Sequence, residues 1–224
     1  TGQYNQFIYQ FHMAAFFFMS GYTVSYGKRS ILKTIWDKCY SLIVPYLFTF
    51  CMFILIDSVL NRFNIRSVFF TEDMTYLGVA ESLKQLLLYG NCYAWLLGAG
   101  WFVIILFAIE LIHSIFSTFC KKNWGIYAIL VSLLYGMGYY LVNKNEYCRV
   151  GFVSFDLVFI GFGFYGLGFL FRQTNLFEKL FSYKYSKLAI LALNVLLFYY
   201  FAVVRQITVD YPSRSFNSPL IDFV

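Results

Sequence analysis

Charge is what this sequence has least of. Only 12% of its 224 residues are Asp, Glu, Lys or Arg, while 60% are hydrophobic. A soluble domain carries roughly twice that share of charge. So few polar side chains do not cover a soluble globule of this size, and lipid is the remaining sink for the apolar surface. Proline is nearly missing, at three residues, so long helices run with few interruptions. The five cysteines (Cys39, Cys51, Cys92, Cys120 and Cys148) are odd in number and form no C-x-x-C. That pattern argues against a disulfide framework and against a zinc site. No leader pattern opens the chain. It starts at Thr1 almost directly in an apolar run and stops at Leu220-Ile221-Asp222-Phe223-Val224, which reads as the start of another. Both ends are expected to be cut.

What is abundant is long apolar stretches and aromatic rings, with 28 Phe and 20 Tyr. A spanning helix needs roughly 20 mostly apolar residues. Six windows meet that need, at about 6–26, 39–59, 96–119, 124–142, 152–171 and 188–204. The expected fold is therefore all-α, a polytopic integral membrane bundle with about six transmembrane helices in one partial domain over 1–224. Trp36, Trp95, Trp101 and Trp124 fall near the expected helix ends, where amphipathic rings favour the headgroup level. Segment 76–90 carries apolar residues at helical spacing with charges opposite, as an interfacial helix does.

The net charge of +6 is unevenly spread. Loops 28–38, 121–123 and 172–187 hold ten basic and two acidic residues. Segments 60–95, 143–150 and 205–224 hold seven basic and six acidic. The positive-inside rule assigns the first set to the cytoplasm, with a cell-membrane location, and leaves no call for a nucleic-acid partner.

The most informative stretch is Phe11-His12-Met13-Ala14-Ala15-Phe16-Phe17-Phe18-Met19-Ser20-Gly21-Tyr22. A histidine inside a spanning helix is costly and is a functional candidate by default; the alternative is a hydrogen bond to a neighbouring helix. Ser20 and Gly21 are small enough to admit another helix closely. Glu110 and His113 share a helix face; Glu-x-x-His serves di-iron bundles only in two copies, and one is present, so an internal hydrogen bond or a snorkelling pair is expected. Gly161-Phe162-Gly163-Phe164-Tyr165-Gly166 fits G-x-G-x-x-G. A dinucleotide site needs a preceding strand, whereas these glycines lie in an apolar helix and are expected to serve close packing. No metal site is read.

The stretch from Phe11 to Tyr22, a basic segment after it, and then Leu42-Ile43-Val44-Pro45-Tyr46 resemble membrane acyltransferase family 3, in its fucose O-acetylase-like branch. Gly100-Trp101-Phe102-Val103-Ile104-Ile105-Leu106-Phe107 is similar to that family's Trp-Phe-Leu-x-x-Leu-Phe helix. Phe155-Asp156, followed by Phe164-Tyr165-Gly166-Leu167-Gly168, is similar to a later helix. Two departures stand out. Ala14-Ala15 replaces the usual Pro-Leu. The family's first helix, with an Arg followed by the principal catalytic His, is expected before Thr1, and further helices are expected after Val224.

The resemblance implies O-acyl transfer from acetyl-CoA, used as a substrate with no bound cofactor, to a hydroxyl of a cell-surface or cell-wall carbohydrate. A hydroxyl needs a base to take its proton, and neutral imidazole suits that task. His12 is the local candidate, in a supporting role. Ser20, Trp101 and Asp156 are substrate-binding candidates, although Asp156 near its helix end equally suits reaching the headgroups. Lys28, Arg29, Lys33 and Lys38 are candidates for the CoA phosphates, with topology control as the plainer role of each. The bilayer, acetyl-CoA and the carbohydrate are the expected partners, and residues 1–224 alone are expected to be inactive. The rival is a polysaccharide flippase, a polymerase or another multi-pass transporter, which a duplicated inverted half would reveal.

Overall fold

The computed structural model describes residues 2–24, 31–69, 76–89, 100–120, 123–144, 149–150, 153–182 and 192. Nine α-helices occur among them. In chain order they are α1 (Gly2–Thr23), α2 (Ile31–Lys38), α3 (Val44–Arg62), α4 (Arg66–Phe69), α5 (Val79–Tyr89), α6 (Gly100–Cys120), α7 (Trp124–Asn143), α8 (Phe155–Gln173) and α9 (Leu176–Phe181). Just before α8, β1 (Arg149–Val150) and β2 (Val153–Ser154) form one short antiparallel rung, with Arg149 opposite Ser154. The chain is a helical membrane protein.

Four helical stretches among the described residues are long and apolar enough to cross a bilayer: Ile31–Arg62, Phe102–Cys120, Trp124–Asn143 and Phe155–Gln173. They coincide with four of the six windows. α1 occupies a fifth window and has the length, but Gln3, Asn5, Gln6, Gln10 and His12 make its first half polar, and it is not among the four. The sixth window, 188–204, lies outside the described residues, Ala192 apart.

One expectation is corrected. Residues 31–38 of the basic loop are helical and continue into the span as a single rod, Ile31–Arg62. Nothing in Ile31–Lys38 breaks a helix, and its apolar and charged residues segregate to different sides. The first obstacle is Pro45, which lacks an amide proton and whose ring crowds the carbonyl four residues back. Cys39–Ile43 are π-helical and Pro45 falls in the first turn of α3. Widening the helix ahead of the proline accommodates the ring without ending the rod.

The chain forms two compact units. One comprises Arg29–Ile115 and Cys148–Phe155. Its core is Tyr46, Phe50 and Ile54 on α3, Leu86 on α5 and Ile104 on α6, with Val103 and Val153 packed against them. A glycine starts α6 because a Cβ at Gly100 would press on the Phe50 and Tyr46 rings at 3.0 and 3.2 Å. Ahead of α5, Gly78 holds φ +78°, and its carbonyl accepts the Ser82 amide at 3.0 Å. This conformation favours glycine.

The other unit comprises Thr1–Lys28, Phe116–Tyr147 and Asp156–Val224. α8 is its central helix: 67% of its spanning window is buried, against 17% for Ile31–Arg62. A helix apolar on every side and buried on every side is wrapped by protein rather than by lipid. Rings interlock around it. Phe162 meets Phe116 edge-on, Phe169 meets Trp124 and Tyr127, and Phe164 meets Tyr135. The glycines of the G-x-G-x-x-G stretch serve packing here: Gly163 fits beneath Tyr135, and Gly166 beneath Val131 of α7.

Candidate functional site

The α1–α8 contact is a backbone-to-backbone crossing. A Cβ on Gly21 would collide with the carbonyl of Tyr165, and one on Gly168 with the carbonyl of Phe18. Met13, Phe17 and Gly21 form the buried stripe of α1, one turn apart along one face. At its end Arg172 donates from one nitrogen, Nη1, to the carbonyls of Tyr22, Thr23 and Val24, at 3.1, 2.7 and 3.2 Å. These are carbonyls that the last turn leaves without helical partners, and a guanidinium suits the negative end of the helix dipole. α8 thus caps α1. The two C-terminal ends lie together, so the helices run in the same direction.

That geometry relates two of the candidate residues. His12 lies nine residues before Gly21, and Asp156 lies nine residues before Tyr165. At 1.5 Å per residue each position sits about 13 Å along its own helix from the crossing. The side chain of His12 lies outside the described residues. Asp156 is 0% exposed in the first turn of α8, so it faces protein and does not reach for headgroups. Its backbone packs against Gly138 of α7. Ser20 is half-buried beside the crossing itself, about 13 Å along α8 from Asp156. The structure does not bring those two together.

In the other unit, Lys38 on α2 donates to Glu110 Oε1 on α6 at 2.7 Å. Glu110 is 6% exposed, and its second oxygen, Oε2, has no hydrogen-bond partner among the described residues. Removing two charges from water costs several kcal/mol per ion, and their attraction offsets this only where the remaining lone pairs are satisfied. This pair is therefore a poor stabiliser and a strong constraint on how α2 seats. The expected internal pairing of Glu110 runs to Lys38. His113, one turn further along α6, is 4% exposed, and Ser117 is 7% exposed. Glu110, His113 and Ser117 recur at i, i+3 and i+7, a buried polar stripe in an otherwise apolar helix. Lys33, by contrast, is exposed.

A second ion pair was missed by the sequence reading. Arg66 Nε donates to Asp57 Oδ1 at 2.7 Å, with Asp57 only 3% exposed. Tyr76 lies against the guanidinium, 5.9 Å from ring centre to Cζ, and its hydroxyl is 3.4 Å from Ser58 Oγ. The signal was present: a carboxylate within an apolar window calls for a partner. Arg66, a few residues past the helix end, was available to provide it. The pair folds α4 back onto α3. Trp101 is the second residue of α6, with its side chain outside the described residues, as Lys28 and Arg29 are altogether.

No curated protein and no solved structure matches this chain significantly. The profile of one protein family, described as an acyltransferase domain, matches residues 1–220. That range takes in the His12 stretch, Pro45-Tyr46, the Trp101 helix and the whole of α8, and on this ground the chain belongs to acyltransferase family 3 and is a membrane acyltransferase.

Proposed function

We propose that the protein transfers an acetyl group from acetyl-CoA to a hydroxyl of a cell-surface or cell-wall carbohydrate, in the cytoplasmic membrane of a bacterium. The observation that carries this reading is the family match over 1–220, joined to the resemblance of the His12 stretch to the O-acetylase-like branch. Chemistry supports it. The acceptor hydroxyl has to lose its proton as it attacks the thioester carbonyl, and neutral imidazole is a suitable acceptor at physiological pH. His12 takes that supporting role. Asp156, on the neighbouring helix α8, orients the sugar as a hydrogen-bond acceptor, and Ser20 on α1 and Trp101 on α6 are each proposed to contact substrate. Lys28 and Arg29 attract the CoA phosphates. Lys38, engaged by Glu110 at 2.7 Å, holds α2 in place for them.

The test is CoA release by the full-length protein in native membranes, given acetyl-CoA and a carbohydrate acceptor. His12→Ala lowers the rate at least about tenfold, as loss of a proton-transfer group does. An unchanged rate returns His12 to a packing role. Absence of acetyl-CoA-dependent release from the intact protein refutes the donor.

A further inference from the structure

We propose that α2 is a recognition surface for anionic phospholipid headgroups. It rests on a feature that acyl transfer leaves unused. The rod Ile31–Arg62 has 32 residues, which at 1.5 Å each is about 48 Å, against a hydrocarbon core of about 30 Å. The excess falls at the α2 end, because the uninterrupted apolar sequence begins only at Cys39, while Lys33, Asp37 and Lys38 punctuate the turns before it. α2 therefore extends into the headgroup layer.

Its two faces differ. On one, Lys38 is drawn to Glu110 at 2.7 Å, which fixes the rotation of the helix. On the other, Leu32 and Trp36 are 79% and 74% exposed, four apart and so on one side, and Tyr40, in the π-helical segment that follows, is 71% exposed. Lys33 is exposed along its edge. An apolar residue, then Trp, then Tyr, flanked by a snorkelling lysine, is a composition suited to the boundary between acyl chains and phosphates. Over 28–38 the sequence has four basic residues and one acidic, and such a segment next to a span concentrates anionic lipid. The occupant is the phosphate of a lipid such as phosphatidylglycerol. A CoA phosphate offers the same chemistry to Lys33 but lacks the acyl chains that Leu32 and Trp36 need.

The experiment uses the full-length protein in bilayer nanodiscs made of phosphatidylcholine alone or of an equimolar mixture with phosphatidylglycerol. Trp36 is made the sole tryptophan, and quenching by lipids brominated near the headgroup is compared with quenching by lipids brominated at mid-chain. Lipid retained on the released protein is counted by native mass spectrometry. Shallow bromines quench Trp36 more than deep ones, and the ratio of retained phosphatidylglycerol to phosphatidylcholine exceeds the bulk ratio by roughly fivefold for each basic residue engaged. Lys33→Gln lowers that ratio, Lys33→Arg keeps it, and saturating acetyl-CoA leaves it unchanged. Quenching of Trp36 by aqueous acrylamide as readily as free tryptophan overturns the proposal. So does retention equal to the bulk ratio, or displacement of the lipid by acetyl-CoA. None of these readouts depends on acyl transfer.

Discussion

Lys38 and Glu110 lie 72 positions apart in the chain and meet at 2.7 Å, with Glu110 almost wholly removed from solvent. The contact joins the start of a spanning rod to the middle of another helix. It also leaves one carboxylate oxygen of Glu110 without a hydrogen-bond partner among the described residues.

Breaking this pair from one side strands a buried charge. Lys38→Met is expected to destabilise the full-length protein by about 3 kcal/mol, since removing one partner of a buried pair costs on the order of 3–5 kcal/mol and Lys38 is partly exposed. The double variant Lys38→Met, Glu110→Leu is expected to recover most of the loss. Thermal melting of the detergent-solubilised protein checks both. A double variant no better than Lys38→Met shows that the two side chains do not act as a pair.

The α1–α8 crossing predicts a contrast among glycines. Gly21→Ala and Gly168→Ala each drive a methyl group into a backbone carbonyl of the other helix, which no rotamer change relieves. Each is expected to cost about 2 kcal/mol or more. Gly136→Ala meets nothing within 4 Å on its helix and is expected to stabilise by up to about 1 kcal/mol. Melting temperatures of the three variants give the comparison. A harmless Gly21→Ala would remove the crossing from the account.

Arg172 reaches three carbonyls at the end of α1. Arg172→Gln is expected to lose about 1 kcal/mol, because the charge-assisted cap goes while part of the hydrogen bonding persists. Arg172→Lys is expected to fall between the two, since an ammonium supplies a point charge without the planar fork. Hydrogen exchange of the last turn of α1 reads the effect locally, and unchanged protection in Arg172→Gln contradicts it.

The charge asymmetry of the connections predicts that residues 33 and 66 face opposite sides of the membrane. Single cysteines at these positions, in a protein otherwise free of cysteine, are expected to differ in labelling by an impermeant maleimide added to intact cells. Equal labelling contradicts the topology and, with it, an inner donor and outer acceptor.

Much of the fold was readable in advance because lipid imposes a length and a composition on whatever crosses it. The windows at 39–59, 124–142 and 152–171 emerge as Ile31–Arg62, Trp124–Asn143 and Phe155–Gln173. Gly21 and the glycines of α8 were readable as close-packing residues because little else explains glycine in an apolar helix. Asp57 was overlooked because its partner follows a turn after the window ends. Lys38 was read as a candidate for the CoA phosphates or as a topology signal because nothing in a linear pattern says that its rod passes Glu110.

From the sequence alone come the membrane, the helical class and the resemblance to the acyltransferases, since all three depend on composition and on short ordered motifs. Only the tertiary structure decides which charges cancel, which helix is wrapped by protein and which backbones touch. It decides these because partners separated by many tens of residues are chosen by helix packing. A spanning pattern records that a side chain is polar, and packing determines what it meets.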